Sequence, residues 1–516
     1  MGMSTRLGLL PVDSSSYRPA TGAPRSKGGA PMTHARFIVT SLVAGAILAG
    51  CGHSMTDDSA MVALPEVVAV PPSEGPFETT LAEDRDPSPN VVEIALEAKI
   101  AQVELAPGRR VPMWTYNGTL PGPRIEARVG DTVRIRFKNS LPEATTVHWH
   151  GLRVPATMDG VPAVQSPIAP GAEFTYEFVV PDAGTFWYHP HVRSDEQVER
   201  GLYGALIVRG SNEPTTTTDR VVVLDDLLVK RDWTLSAFDP MQAMIGRQGN
   251  LILANGRARP IAPMVRGGLH RFRFINAANA RYFRLALPGH RLVQIGTDGG
   301  FLTAAREVDE VLLVPGERAD VLIVMRGDAG AALDWKSLRY DRGHGTGGLP
   351  DVVVFQSKNG DGAPMVTPPA PTTLASIDAL PPATVRRELK LEESMGSGGG
   401  HGGHGSGMAP VFSINGQVHP NITPLNARLG AVEEWSIVNT TEMDHPFHLH
   451  GFRFQIVSDD GQVPTFPAWR DTINVRARKT TTFRVRLENH AGRWMFHCHI
   501  LEHAERGMMG ELAVTP

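Results

Sequence analysis

The chain has 516 residues and a net charge of −4 at pH 7, with 53 glycines, 41 prolines and 20% charged residues. It lacks a basic block interleaved with aromatic residues, so nucleic acid is not an expected partner. A chain of this length is expected to form about three domains of ordinary size. Frequent glycine and proline between alternating apolar runs favour an all-β fold over a helical one.

The first feature along the chain is an uncharged apolar run, residues 37–50, which is followed by Cys51. The run is too short to span a bilayer as a helix, and it is interpreted as an export signal. Its Leu-Ala-Gly-Cys ending resembles a bacterial lipoprotein signal, which implies that residues 1–51 are an N-terminal extension and signal with lipid attached to Cys51. A plain secretory signal is the alternative. We expect an exported protein, periplasmic or at the cell surface, whose translation starts at Met1 or Met32.

Residues 52–90 are rich in proline, serine and acidic residues and are predicted to be a flexible tether. From residue 91, alternating runs separated by turns predict β-sandwiches. An internal repeat is visible, because residues 130–139 and 430–439 are similar to each other and each is followed by a histidine-rich segment. A middle copy at residues 267–276 has no such histidines. The predicted domains are residues 91–212, 213–380 and 381–516.

Four short segments carry histidines two residues apart. Alternate side chains of an extended chain share a face, so each pair directs two imidazoles to the same side. A single buried histidine is more often a core residue than a ligand, but four pairs together indicate a metal cluster. The cluster is expected between the first and last domains, and the middle domain is interpreted as a spacer without copper ligands. The paired histidines are His148, His150, His189, His191, His448, His450, His497 and His499.

The stretch from His497 to Met508 places a thiolate, an imidazole and a thioether at ligand spacing. Cys498 faces away from the two histidines that flank it. With His503, a second histidine and a weak axial Met508, Cys498 would form a blue, electron-transferring copper site. His445 is left over from the pairs and is the candidate second histidine. Once the signal is removed, Cys498 is the only thiol, and metal ligation explains its presence.

A glycine-rich segment, residues 396–407, is predicted to be a mobile loop within the last domain. Its two histidines, His401 and His404, lie near Met395 and Met408, so the loop could capture copper transiently. A plain flexible linker with incidental histidines is the alternative.

The four histidine segments together resemble those of the multicopper oxidases, specifically the three-domain, laccase-like bacterial members. The resemblance covers residues 90–516. It implies three cupredoxin-like Greek-key β-sandwich domains and four coppers, one of them a blue mononuclear copper and three in a trinuclear cluster. It also implies one-electron oxidation of a donor and four-electron reduction of dioxygen to water.

The resemblance further implies a role for each histidine. It assigns the blue site to His445, Cys498, His503 and Met508. It assigns a single copper of the cluster to His148 and His448, one copper of a coupled pair to His150, His189 and His499, and the other to His191, His450 and His497.

The same resemblance makes Asp159 a catalytic proton relay beside the cluster. An alternative is that Asp159 with Gly160 only forms a turn, and both can hold. The chain departs from many bacterial relatives after His503, where they carry a second acid. Here Ala504 and then Glu505 follow, and Glu505 cannot be assumed to substitute for the missing acid.

An axial Met508 suggests a low-to-middle potential and easily oxidised donors, namely phenols, aromatic amines or Cu(I). Met443 matches a methionine that cuprous oxidases place beside the blue copper, although their long methionine-rich insertion is absent. Met241 and Met244 fit a substrate-side segment or ordinary packing. Besides the donor and dioxygen, the expected partners are the membrane, reached only through the lipid on Cys51, and no second subunit.

Two other functions are possible for such a fold. A copper nitrite reductase shares it, but a mononuclear catalytic copper does not need eight paired imidazoles. An exported, non-enzymatic relative could keep the fold for assembly or copper binding, but such relatives lose ligands. Because every ligand position is filled here, a copper-dependent oxidoreductase of laccase type is the preferred interpretation.

Overall fold

The computed structural model describes residues 66–238, 240–344, 348–363, 373–395 and 410–516. The predicted signal, Cys51 and the glycine-rich loop at 396–407 lie outside these residues. Strands dominate the described part, so the all-β class is confirmed. None of the helices in those ranges combines the length and the hydrophobicity that crossing a bilayer requires.

The first sandwich is built from residues 91–209. One sheet has the order β2-β1-β4-β6 and the other β3-β8-β7-β5. A short 3-10 helix, Ala156–Met158, and helix α1, Ser194–Glu199, lie in its connections. Its strands are β1 (Val91–Ala106), β2 (Arg109–Tyr116), β3 (Gly122–Arg128), β4 (Thr132–Asn139), β5 (His148–His150), β6 (Glu173–Val179), β7 (Gly184–His189) and β8 (Gly204–Arg209).

The middle sandwich is built from residues 218–359. Its sheets have the orders β11-β10-β9-β13-β18-β15-β16 and β12-β20-β19-β14-β17, and it contains helix α2, Pro240–Ile245. Its strands are β9 (Thr218–Leu227), β10 (Leu251–Ala254), β11 (Arg257–Ala258), β12 (Ile261–Met264), β13 (Leu269–Asn276), β14 (Phe283–Ala286), β15 (Leu292–Thr297), β16 (Gly300–Val308), β17 (Val311–Leu313), β18 (Arg318–Val324), β19 (Ala332–Leu338) and β20 (Val352–Asn359).

The last sandwich is built from residues 385–515. Its sheets have the orders β22-β21-β24-β28-β26 and β23-β30-β29-β25-β27, and helix α3, Leu501–Glu505, lies between β29 and β30. Its strands are β21 (Val385–Met395), β22 (Pro410–Ile414), β23 (Leu425–Arg428), β24 (Val432–Asn439), β25 (His445–Leu449), β26 (Phe454–Asp459), β27 (Thr472–Val475), β28 (Thr480–Arg486), β29 (Gly492–Cys498) and β30 (Met509–Thr515).

The three sandwiches repeat one topology. In each, the first long strand pairs in parallel with a later one, namely β1 with β4, β9 with β13 and β21 with β24. The later strand ends in each case at an asparagine whose side-chain amide donates to two backbone carbonyls. These asparagines, Asn139, Asn276 and Asn439, end the repeated segments found in the sequence. The domain boundaries proposed from the sequence stay a prediction. Among the described residues, no sheet contains strands from two of the three proposed domains.

Alternation along the strands produces the cores. In β4, Val133, Ile135 and Phe137 are at most 1% exposed and face the opposite sheet, while Arg134 and Arg136 point outward and pair with Glu93. Each such apolar side chain contributes about 1.5–3 kcal/mol on burial. The same division between faces is what sends the two histidines of a pair to one side.

The described part of the predicted tether, residues 66–90, differs from the expectation. Val70 is 6% exposed and Phe77 3% exposed, and Phe77 lies in the core of the middle sandwich. Ser73 forms a bridge with Pro260, so this segment is fixed along the sandwich surface. The composition of this segment predicted flexibility. A few widely spaced apolar residues, such as Phe77, are nevertheless enough to hold it against the core of the middle sandwich.

Candidate copper centres

Two neighbouring strands of the first sandwich carry the first two histidine segments. β5 and β7 are antiparallel, with His148 opposite His189 and Trp149 opposite Tyr188. Trp149 and Tyr188 face the core of the first sandwich. Since alternate side chains face opposite ways, the histidines of both strands are presented on the other face.

The last sandwich repeats this arrangement with β25 and β29. His448 lies opposite His497, and Phe447 lies opposite Cys498. Phe447 and Cys498 belong to the core of the last sandwich. The alternation predicted around Cys498 therefore separates the thiol from the two histidines that flank it.

The eight paired histidines come together between the first and last sandwiches. The ring of His150 stacks on that of His448 with centroids 3.8 Å apart, and His148 stacks on His450 at 3.9 Å. None of the eight is more than 6% exposed. The structure thus brings all the paired histidines into one buried cluster, four from each sandwich.

Burial lowers the pKa of seven of these eight imidazoles. It is the largest cause that lowers the pKa of His497 to about 3, with neighbouring histidines adding to the effect. Burial also lowers the pKa of His150, His189, His191, His448, His450 and His499. Neutral imidazole is the form that binds metal, so a lowered pKa prepares these seven rings to accept a cation.

Several ring nitrogens in the cluster have no hydrogen-bond partner among the described residues. A buried polar atom left unpaired costs about 1–3 kcal/mol, so such a concentration of them needs an explanation. Bound metal cations would satisfy one nitrogen of each of these rings. The atoms are His148 Nε2, His150 Nδ1, His189 Nε2, His448 Nε2 and both ring nitrogens of His499.

The protein holds the opposite nitrogens of three of these rings. His148 Nδ1 lies 2.8 Å from the Asp159 carbonyl, His189 Nδ1 3.0 Å from the Pro190 carbonyl, and His448 Nδ1 2.9 Å from the Asp471 carbonyl. A carbonyl oxygen only accepts, so these Nδ1 atoms carry the protons and Nε2 is free to bind a metal. The residues present therefore fit a copper cluster.

Closely spaced ligand atoms form groups of three within the cluster. The Nε2 atom of His497 lies 3.4 Å from that of His191 and 3.1 Å from that of His450, and these are the three histidines to which the resemblance assigns one copper of the pair. His148 groups both with His150 and His189 and with His448 and His450. The division of the other histidines between individual coppers stays a prediction.

A second group lies behind the cluster. His445 Nδ1 is 3.5 Å and His503 Nδ1 3.7 Å from Cys498 Sγ, and the two nitrogens are 3.3 Å apart. A point in the plane of this triangle lies about 2 Å from each atom, which is the length of a metal–ligand bond. All three residues are fully buried. The trigonal His2Cys arrangement is that of a blue copper site.

Local contacts orient this triangle. His445 Nε2 lies 2.8 Å from Thr441 Oγ1, and His503 Nε2 donates to the Met244 carbonyl at 3.1 Å. Burial raises the pKa of the Cys498 thiol to about 12, so a bound cation would be needed to hold it as thiolate. Met508 is fully buried and shares a core cluster with Cys498, and its role as axial ligand stays a prediction.

Asp159 lies where the resemblance expects a proton relay. Its side chain is fully buried, and Oδ2 is 2.8 Å from His450 Nδ1. Its carbonyl oxygen also accepts from His148, so one residue contacts a histidine from each sandwich. Asp159 ends the 3-10 helix and precedes Gly160, so the turn interpretation and contact with the cluster both hold.

The acid missing at Ala504 is not replaced in place. Ala504 lies in a small apolar cluster with Val161, Met495 and Met509. The Glu505 carboxylate instead accepts from the backbone N–H of Ser194 at 2.7 Å and from its hydroxyl at 2.8 Å. Burial raises the pKa of Glu505. Its side chain therefore joins α3 to α1 and does not take the place of the acid.

Sequence reasoning missed Asp471. It immediately precedes β27, and its Oδ1 lies 3.2 Å from His150 Nε2. Burial would raise its pKa, but the Arg318 guanidinium outweighs that effect and holds the pKa below its ordinary value. No sequence motif includes this aspartate. The one feature that could have pointed to it is an acidic residue directly before a strand.

Gly160 allows the Asp159 turn to approach the cluster. Its φ is +76°, and an added Cβ would lie 1.9 Å from the Val147 carbonyl oxygen. We expect Gly160→Ala to lower the free energy of unfolding by about 2 kcal/mol more than Gly171→Ala. Gly171 is the matched control, because its φ is +79° and a Cβ there meets nothing within 4 Å. Denaturant unfolding of both variants measures the difference, and equal losses would contradict the argument.

The fold and the two buried groups define a copper-binding oxidoreductase. Multicopper oxidase domain families match residues 97–213, 220–331 and 399–516. The multicopper oxidase mco of Staphylococcus aureus is 30% identical over 86% of this chain and 94% of that protein. The chain belongs to the multicopper oxidase family, and it is a copper enzyme that uses oxygen.

Solved structures similar to this chain are also multicopper oxidases. A Campylobacter jejuni multicopper oxidase, described as a metallo-oxidase, has a TM-score of 0.77 at 31% identity, covering 87% of this chain and 98% of that one. A laccase-like multicopper oxidase from Ochrobactrum, described as active towards lignin model compounds and lignosulfonate, has a TM-score of 0.74 at 27% identity. That match covers 85% of this chain and all of the other.

Proposed function

We propose that the protein oxidises electron-rich phenols and aromatic amines in one-electron steps and reduces dioxygen to water, with four coppers per chain. The observation that carries the proposal is the joining of two sites by one strand. Cys498 belongs to the trigonal group, and the residues bonded to it, His497 and His499, belong to the histidine cluster. Donor oxidation and oxygen reduction are thereby separated but connected through a covalent path.

Bound copper would supply the one-electron chemistry in both groups, and the protein supplies ligands, orientation and exclusion of water. Thr441 and the Met244 carbonyl fix the outer nitrogens of His445 and His503. Met244 lies on α2 and is half-buried. Only this residue therefore separates the outer nitrogen of His503 from the protein surface at that point. This short distance supports electron transfer from a donor that never meets the oxygen site.

We further propose that Asp159 holds a proton for oxygen reduction at Oδ1, which has no hydrogen-bond partner among the described residues. Its other carboxylate oxygen, Oδ2, accepts from His450 Nδ1 at the cluster. Positioned carboxyl groups accelerate proton transfer by about 10²–10⁴-fold. Ala504 is surrounded by apolar side chains, so that position supplies no acid. The acid of the proposed relay is therefore Asp159, which belongs to the first sandwich and contacts the cluster directly.

Oxidation of Cu(I) is a second candidate activity. Met443 is fully buried two residues before His445 and forms a bridge with Gly343 of the middle sandwich. Thioether sulfur is a soft ligand that suits Cu(I). The Campylobacter relative is described as a metallo-oxidase, and the Ochrobactrum relative as active towards lignin model compounds, so similar proteins are described with different kinds of donor.

The decisive experiment is a visible spectrum and copper analysis of the copper-loaded protein, followed by oxygen uptake with a phenolic diamine and with Cu(I). An intense blue band, about four coppers per chain and oxygen uptake are expected. The ratio of the two rates separates the donor classes. A colourless protein, or one that binds copper without consuming oxygen, would leave only a copper-binding role.

We also propose that the chain is exported and anchored by lipid at Cys51. The support is the uncharged apolar run that ends at that cysteine. Fractionation of expressing cells and mass spectrometry of the mature N-terminus test it. A soluble mature chain beginning at another residue would refute the anchor and favour the plain secretory signal.

A further inference from the structure

One side chain of the middle sandwich reaches the histidine cluster, although that sandwich has no histidine pair. Arg318 begins β18, and its side chain is fully buried. Its Nε donates to the Thr185 carbonyl of the first sandwich at 2.9 Å. Its Nη1 and Nη2 donate to the two carboxylate oxygens of Asp471, in the last sandwich, at 2.7 and 2.6 Å. Arg318 thus connects all three sandwiches.

Asp471 in turn holds one histidine from each half of the cluster. Its Oδ1 lies 3.2 Å from His150 Nε2, and its carbonyl oxygen lies 2.9 Å from His448 Nδ1. An ionised carboxylate and a carbonyl only accept, so both of those nitrogens are protonated. The remaining nitrogens, His150 Nδ1 and His448 Nε2, are the ones without a partner. The orientation of the Asp471 carboxylate therefore decides which atom the His150 ring presents to the cluster, while the backbone carbonyl of Asp471 holds His448.

Two glycines make room for this arrangement. A Cβ at Gly151, where φ is +85°, would lie 2.3 Å from Arg318 Nη2 and 2.6 Å from Asp471 Oδ2. A Cβ at Gly316, where φ is +89°, would lie 3.1 Å from His150 Cε1 and 3.0 Å from His499 Cδ2. Gly316 and Arg318 belong to the same short segment of the middle sandwich. That segment therefore packs in direct contact with two histidines of the cluster, His150 and His499.

We propose that Arg318 is a positioning residue that fixes, through the Asp471 carboxylate, the tautomer and ring orientation of His150. The inference rests on the proposed function, since it concerns the copper ligands of that site. A buried ion pair by itself is weak evidence for stabilisation. The planar guanidinium instead supplies geometry, because its two parallel N–H bonds hold a carboxylate in one orientation, which a lysine cannot do.

The test compares Arg318→Met and Arg318→Lys with the same substitutions at Arg281. Arg281 is the matched control: it is 1% exposed, lies in the middle sandwich and pairs with Asp226 at 2.6 Å, without contacting a paired histidine. Retention of copper against a chelator, copper per folded chain and the electron paramagnetic resonance spectrum are measured on copper-loaded proteins. These measurements do not depend on turnover.

We expect Arg318→Met to bind the non-blue copper about 10- to 100-fold more weakly while keeping the blue absorption. Arg318→Lys is expected to lie between it and the unmutated protein, with an altered resonance spectrum. Both Arg281 variants are expected to retain copper normally in the folded fraction, whatever their loss of stability.

Equal copper retention in the Arg318 and Arg281 variants would overturn the proposal. If Arg318→Met does not fold, Arg318→Lys decides by the same criterion. An unmutated protein that binds no copper beyond the blue site would instead overturn the proposed function, so the two failures are distinguishable.

Discussion

Serine in place of Cys498 is expected to abolish the blue absorption and to lower oxygen uptake by at least about a thousandfold, a barrier increase of about 4 kcal/mol. Sγ is one corner of the triangle with His445 and His503, at 3.5 and 3.7 Å from their Nδ1 atoms. A thiolate gives copper its soft, strongly coupled ligand, and a serine hydroxyl is neither soft nor ionised at neutral pH. The substitution removes the soft ligand of the copper that would accept electrons from the donor.

The chain contains its own matched control for this substitution. Its other cysteine, Cys51, lies at the predicted cleavage point of the signal. We expect Cys51→Ser to keep both the blue band and the oxygen uptake of the purified protein. Serine is close to cysteine in size, so the core around residue 498 should stay packed, and circular dichroism can verify this. A blue Cys498→Ser protein would refute the assignment of the thiolate.

Asparagine in place of Asp159 is expected to lower oxygen uptake by about 10²–10⁴-fold while copper content and the blue band are retained. The asparagine carbonyl oxygen can still accept from His450 Nδ1, which now contacts Asp159 Oδ2 at 2.8 Å. The imidazole therefore keeps its tautomer and its free Nε2. What is lost is a group that holds and releases a proton beside the cluster.

The step affected by Asp159→Asn can be identified by stopped-flow spectroscopy. Reduction of the blue band by donor under anaerobic conditions should proceed at the normal rate, and its return on mixing with oxygen should slow. Asp131→Asn is a suitable control, because Asp131 is also buried but accepts from the Arg128 N–H in a turn of the first sandwich. Normal return of the blue band in Asp159→Asn would leave Asp159 with a turn-forming role only.

Both predictions depend on the alternation of side chains between two faces at the end of β29. His497 and Cys498 at the end of β29, and His499 directly after it, alternate between the cluster and the core of the last sandwich. Strand geometry alone thus places two sites on opposite faces of one segment. The distance between them is set by covalent bonds, and it does not depend on packing between sandwiches.

The sequence by itself determined the all-β class and the set of residues that converge. It could do so because the relevant spacings are local: a period of two along β5, and past the ends of β7, β25 and β29, indicates which histidines share a face. The internal repeat added that the two sets of pairs occupy equivalent places, as the matching register of His148 with His189 and of His448 with His497 shows.

Only the tertiary structure decided what surrounds those ligands. Arg318 and Asp471 are separated by 153 residues, and His150 and Asp471 by 321, so no local pattern could connect them. Composition likewise could not show that residues 66–90 are bound to the middle sandwich through Phe77, or that Glu505 turns to Ser194. Each of these contacts forms between surfaces that exist only after the sandwiches have folded and packed, whereas the direction of a side chain along a strand is fixed by the backbone.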